Sequence, residues 1–257
     1  MSSEIPSAHP TDQPIVTSPR PWGFWATVGW TLIITVAYIA VQFAVGMIIA
    51  ILNPDLASLD PDKIASNGAF LAIMTYFATP VVVGLCVLFA ALRKQFPVKD
   101  YLALKSPSPI EIRRWGLGLL ILILASDALT GLLGKPIVPD FMLEVYETAG
   151  NAMPFLWLAL IVAAPFSEEF LFRGFLFTGL KESRLGGYGA IFVTSLIWAV
   201  IHGQYDLYGI ATIFVSGIFL GLARLKTGSI WLCILLHGTM NLVATLETII
   251  YRAFISR

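Results

Sequence analysis

The chain alternates long, almost uncharged apolar runs with short polar stretches. A helix that crosses the hydrocarbon core of a bilayer needs roughly 20 mostly apolar residues. Seven runs qualify: 24–52, 69–92, 115–134, 154–180, 188–203, 207–224 and 230–251. The first contains WTLIITVAYIAVQFAVGMIIAIL without a single charge, and the third carries only Asp127. The last four hold nearly all the polar anomalies. The pattern predicts an all-α fold, a polytopic transmembrane helical bundle of about seven spans, or eight. Residues 23–153 read as supporting helices and 154–251 as a polar-cored unit, with a C-terminal tail at 252–257. Residues 1–22, rich in Ser, Pro and Thr, read as a disordered N-terminal tail.

Composition agrees. Of 257 residues, 57% are hydrophobic and only 12% charged, with mean hydropathy +0.81; soluble domains carry about 25% charged residues. Sixteen basic and sixteen acidic residues cancel, so nothing calls for a nucleic acid partner. Cys86 and Cys233 both lie in apolar runs, where they read as small hydrophobes rather than as a disulfide framework. No cleavable signal peptide is expected, because the first apolar run is too long for one and lacks a basic cluster before it.

Lys and Arg bias gives an orientation. The loop 93–114 holds Arg93, Lys94, Lys99, Lys105, Arg113 and Arg114, whereas loops 53–67 and 135–153 hold one Lys each. Loops 181–187 and 224–229 fall on the same side as 93–114. Alternation over seven spans puts the N-terminus inside, the C-terminus outside and His202 near the outer end of the fifth span; Arg252 and Arg257 run against the trend. Gly217 and Gly221 form a G-x-x-x-G, expected to serve close helix packing. Pro80 reads as a tolerated kink.

Charged side chains at bilayer depth are costly and mark functional sites. Glu168, Glu169 and Arg173 sit within VAAPFSEEFLFRGFLF. Glu169 and Arg173, four apart, share a helix face, and Glu168 is turned about 100° away. One carboxylate is then neutralised by Arg173, and Glu168 is left to face a cavity. Pro165 removes a helix hydrogen bond and opens the backbone there to water or to a partner side chain. His202 closes SLIWAVIH, and His237 lies mid-span with Asn241 four residues on, on one face. One buried site satisfies these polar groups more cheaply than three. A glutamate beside a neutral imidazole can deprotonate a water, and a second His with an Asn amide can donate to an oxyanion. No Ser stands in a G-x-S-x-G context. A His₂Glu zinc set of Glu168, His202 and His237 remains the metal alternative, although H-E-x-x-H is absent. The metal-free site, with no cofactor, is the preferred reading.

With these residues in place the chain resembles the CAAX prenyl endopeptidase type II and bacteriocin-processing (CPBP, or Abi) family of intramembrane proteases. That family's motifs are E-E-x-x-x-R, F-x-x-x-H, and H-x-x-x-N or its Asp and Ser variants. Here they read EEFLFR (168–173), WAVIH (198–202) and HGTMN (237–241), in order and on successive spans, so the likeness covers about 154–245. It implies a glutamic endopeptidase. Glu168 would be the water-activating base with His202 assisting, and His237 and Asn241 the oxyanion-side donors. Glu169 and Arg173 would brace the first motif, and Trp198, where Phe is commoner, would keep an aromatic wall. Eukaryotic relatives trim prenylated C-termini at the cytosolic face. For this chain the expected substrate is a membrane-associated peptide or protein in a prokaryotic plasma (inner) membrane, with the lipid bilayer as the other partner; prenylation and oligomeric state stay open. The rivals are a non-catalytic immunity or binding protein of the same fold and a proton-coupled transporter. Transporters usually show internal repeats, and none is seen here.

Overall fold

The computed structural model describes residues 19–58 and 60–254. Residues 1–18, most of the tail expected to be disordered, and 255–257, the end of the C-terminal tail, lie outside the described part. The principal helices are α1 (Phe24–Leu52), α2 (Gly68–Leu92), α3 (Pro109–Leu132), the short α4 (Asp140–Thr148), α5 (Gly150–Lys181), α6 (Gly186–Val200), α7 (Leu207–Thr227) and α8 (Ile230–Phe254). Among the described residues, extended pairing is confined to one isolated bridge, Leu104 to Ser229.

Six of these helices, α1, α2, α3, α5, α7 and α8, are long and apolar enough to cross a membrane. The run expected to span at 188–203 forms the shorter α6, whose 15 residues reach about 22 Å against a hydrocarbon core of roughly 30 Å. The chain turns early, at 201–206, where Asp206 caps the start of α7 by accepting from the Gly209 N–H at 2.7 Å. With α6 as a partial crossing, the bundle has about seven helical passes. The third run starts at Pro109 rather than 115. Ser108 and Glu111 form a reciprocal capping box there, which fixes a helix start regardless of the charges at Arg113 and Arg114.

The outer faces of α1 and α3 expose Leu32, Val36, Ile39, Phe43, Leu117, Ile121 and Leu124. Surface of that kind belongs against lipid tails, and the protein is an integral multi-pass membrane protein. The helix α5 runs through the middle, packed against α2, α6 and α8, with α1 outside α2 and α3 outside α7 and α8. The helices α6 and α7 form a tight antiparallel pair. A Cβ added at Gly217 would lie 2.9 Å from the Ser195 Cβ, and one at Gly221 would lie 2.9 Å from the Ile191 Cγ2. The G-x-x-x-G thus serves close packing, as read.

The basic loops gather at one end of the bundle. Ser229 donates through Oγ to Lys105 O at 2.5 Å, the Ile230 N–H to Ala103 O at 3.0 Å, and Thr178 Oγ1 to Tyr101 O at 2.8 Å. Gly228, at φ +66°, makes the left-handed cap that turns α7 into α8. Residues 20–22 belong to this end as well, since Trp22 Nε1 donates to Phe89 O at 2.8 Å and Arg93 Nε to Arg20 O at 2.9 Å. At the opposite end Lys135 pairs with Asp206 at 2.9 Å, and Thr130 meets the Tyr208 hydroxyl at 2.7 Å.

Candidate active site

The backbone of α5 is not uniformly α-helical. It widens into π-turns at Ala159–Ala163 and Phe170–Leu176, with one regular segment, Ala164–Glu169, between them. Such widenings free main-chain carbonyls and recur at functional sites. In the first, the Ala164 N–H donates to Ala159 O, five residues back. The next bond in that register would run from residue 165 to Leu160 O, but Pro165 has no N–H. Asn241 fills the vacancy: its Nδ2 donates to Leu160 O at 2.7 Å. Gly238, one turn earlier on α8, lets the helices close, because a Cβ there would lie 2.8 Å from Ile161 O. Thr79 Oγ1 donates to Ala163 O at 3.1 Å, and Arg224 Nε to Arg173 O at 2.8 Å. Side chains of three neighbouring helices thus hold the widened backbone that carries both glutamates.

The two carboxylates have different fates. Glu169 is fully buried; its Oε1 accepts from Arg173 Nη1 at 2.8 Å and from His237 Nδ1 at 3.0 Å. Arg173, also fully buried, sends Nη2 to Gly217 O at 3.3 Å and lies over the Trp198 ring at 4.6 Å. Glu168 keeps 26% of its side chain exposed. Its Oε2 accepts a 2.5 Å hydrogen bond from Trp198 Nε1 and stands 4.0 Å from His237 Nε2. That separation is too long for a direct hydrogen bond. Of the division expected from helix spacing, the structure shows one glutamate committed to Arg173 and the other, Glu168, left out of that pair and partly exposed.

With Nδ1–H donated to Glu169, the His237 ring is fixed so that Nε2 points to the Glu168 side. Trp198 meets the His237 ring edge-on at 5.2 Å and the His202 ring likewise at 5.2 Å. His202 lies at the end of α6, with Nδ1 2.6 Å from the Trp198 carbonyl and its ring stacked at 6.5 Å on Tyr205. It makes no hydrogen bond to Glu168 or His237, and its link to them passes through Trp198. The structure therefore brings together Glu168, Glu169, Arg173, Trp198 and His237. It puts Asn241 on the backbone beneath them and His202 behind the indole. No cluster of three His, Cys, Asp or Glu side chains stands at metal-binding spacing among the described residues, so Glu168, His202 and His237 are not gathered as ligands.

Some contacts of the site were not legible in the sequence. Trp198 is a hydrogen-bond donor to Glu168 as well as a wall. The Gly217 carbonyl reaches Arg173 because a glycine lets α7 come close, and Arg224 supports the second widened turn. The G-x-x-x-G and Pro165 were the available signals, and both were read only for packing and backbone opening.

The site thus defines a membrane-embedded cluster of two carboxylates, a guanidinium and an imidazole on intramembrane helices. Residues 150–243, from the start of α5 into α8, match the model of a family described as type II CAAX prenyl endopeptidase Rce1-like. That match supports the likeness of this stretch to the CAAX-type (CPBP) family that its three motifs suggested. The chain is also 29% identical over 124 residues to an Escherichia coli protein described as an uncharacterized 24.3 kDa protein. That likeness covers 47% of this chain and spans 51%, about half, of the relative's length. No solved structure matches.

Proposed function

We propose that the protein is an intramembrane endopeptidase that hydrolyses a peptide bond in a membrane-associated peptide or protein. One observation carries this reading. Glu168 is the carboxylate of the site that makes no hydrogen bond to a basic side chain, and it stays accessible while Glu169 is engaged by Arg173 and His237. A water lying between the Glu168 carboxylate and His237 Nε2 would be oriented by both. Glu168 takes a proton from that water as its oxygen attacks the carbonyl carbon. His237, bearing a proton on Nε2 and held by Glu169, donates to the oxyanion. Glu168 then returns the proton to the departing nitrogen, leaving a carboxylic acid and an amine.

In this scheme Trp198 aims the Glu168 carboxylate, and His202 supports the base by fixing Trp198. Asn241, its amide engaged at Leu160 O, ties α8 to α5 on the oxyanion side. The basic end is assigned to the cytoplasm of a prokaryotic cell by the positive-inside bias, which leaves the loop carrying His202 toward the other face. A reporter fused at residue 205 and found in the cytoplasm would overturn that orientation.

The test is hydrolysis of a panel of membrane-anchored peptides by purified protein in detergent. Wild type is compared with Glu168→Ala, each with and without chelator. Cleavage that is lost in the variant and survives chelation supports the glutamate mechanism. Cleavage abolished by chelation overturns the metal-free mechanism. No cleavage of any peptide favours a non-catalytic binding or immunity protein.

A further inference from the structure

The basic end of the bundle holds a cavity of about 830 Å³, between the segment before α1, the loop 96–105 and the ends of α5 and α7. Its walls carry Arg20, Lys99, Lys105, Lys181 and Arg224 against Asp100 and Glu182. Arg224 is the telling member, at only 7% exposed. Its Nε donates to Arg173 O at 2.8 Å and its Nη2 to Thr178 Oγ1 at 3.1 Å, with the guanidinium over the Phe177 ring at 5.1 Å. None of these partners is an anion, and no carboxylate pairs with Arg224 among the described residues. Its Nη1 makes no hydrogen bond among the described residues, although the residue lines the cavity. A buried charge without a counter-charge is unfavourable, and an anion entering from the cavity would relieve it.

We propose that this cavity binds the phosphate group of an anionic membrane lipid, with Arg224 as the buried contact and Lys99, Lys105 and Lys181 around it. A lipid fits better than a soluble ion. The cavity lies where the spans end and headgroups begin, and Phe96, Ala103 and Leu104 give it an apolar side for the start of the acyl chains. Lys99 and Lys181 are exposed and make no ion pair among the described residues, which leaves them available to a phosphate. The proposal does not depend on peptidase activity. It does give the membrane surface a route to the site, because Arg224 holds the carbonyl of Arg173, whose side chain braces Glu169.

Protein purified in a neutral maltoside detergent is titrated with phosphatidylglycerol, phosphatidylcholine or inorganic phosphate. Bound adducts are read by native mass spectrometry, beside thermal unfolding. Phosphatidylglycerol should bind on the order of tenfold more tightly than phosphatidylcholine. The double variant Lys99→Ala/Lys181→Ala should lose most of that preference while melting normally in lipid-free detergent. Arg224→Gln should lose the preference altogether, and because that variant risks misfolding, the double variant decides. Equal affinity for the two lipids, or a preference unchanged in the double variant, overturns the proposal. Binding of inorganic phosphate without any lipid preference overturns the lipid assignment in favour of a soluble phosphate.

Discussion

The amide nitrogen of Asn241 lies 2.7 Å from Leu160 O, in the place of the backbone N–H that Pro165 lacks. A proline and an asparagine on different helices thus form one unit, and the glutamates follow three and four residues after the proline. Asn241→Ala should expose the orphaned carbonyl at a cost of about 1–3 kcal/mol. Pro165→Ala restores an N–H to that register. The double variant Pro165→Ala/Asn241→Ala should therefore be more stable than the sum of the single effects, a coupling that thermal or denaturant unfolding of all four proteins would measure. Strict additivity would mean that the two residues act independently.

Glu168 and Glu169 are adjacent in sequence, yet their replacement should fail in opposite ways. Glu168→Gln keeps the shape and the Trp198 contact of a partly exposed group, so folding should be preserved. Peptide hydrolysis should fall by about 10²–10⁴-fold, the usual contribution of a general base. Glu169→Gln leaves Arg173 fully buried without a counter-charge, a loss of about 3–5 kcal/mol. A lowered melting temperature in the second variant and an unchanged one in the first would separate the two roles.

Trp198 Nε1 donates to Glu168 while its ring touches His237 and His202. Trp198→Phe keeps an aromatic ring and removes the donor. A hydrogen bond to a charged group contributes about 1.5–3 kcal/mol, so kcat should fall roughly ten- to a hundredfold if that bond aims the carboxylate in the transition state. KM should change little. A variant with normal kcat would reduce Trp198 to a wall.

Most of the bundle was legible because a bilayer demands long apolar runs, and α1, α2, α5, α7 and α8 begin and end close to where those runs do. The misplaced start of α3 came from counting apolar residues, whereas the Ser108–Glu111 box sets that boundary by hydrogen bonding. The short α6 was read as a span because hydropathy reports lipid compatibility and says nothing of where an Asp206 cap restarts the helix. Within the site, i and i+4 spacing was enough to pair Glu169 with Arg173. It could not show that His237 would join Glu169 rather than Glu168 alone, since that depends on how α8 is drawn against α5 by Asn241 and Gly238. Nor could it reveal that Trp198, an apolar residue by composition, places its one polar atom on the base.

The loop carrying His202 is held by a group that titrates. Asp206 accepts from the Gly209 N–H and pairs with Lys135, and these contacts hold its carboxyl below the usual carboxylate range, the Gly209 hydrogen bond contributing most. A carboxyl depressed in the folded state contributes stability that is complete above its unfolded value, about 3.9. That contribution is lost as pH falls through the folded value. Asp206→Asn keeps an oxygen to cap α7 but carries no charge, so its stability should not vary with pH through this group. Unfolding followed from pH 6 downward should show wild type losing its advantage over Asp206→Asn below about pH 4. If the two curves stay parallel, the Lys135 pair does not secure this end of the bundle, and the position of His202 rests on its contacts with Trp198 and Tyr205.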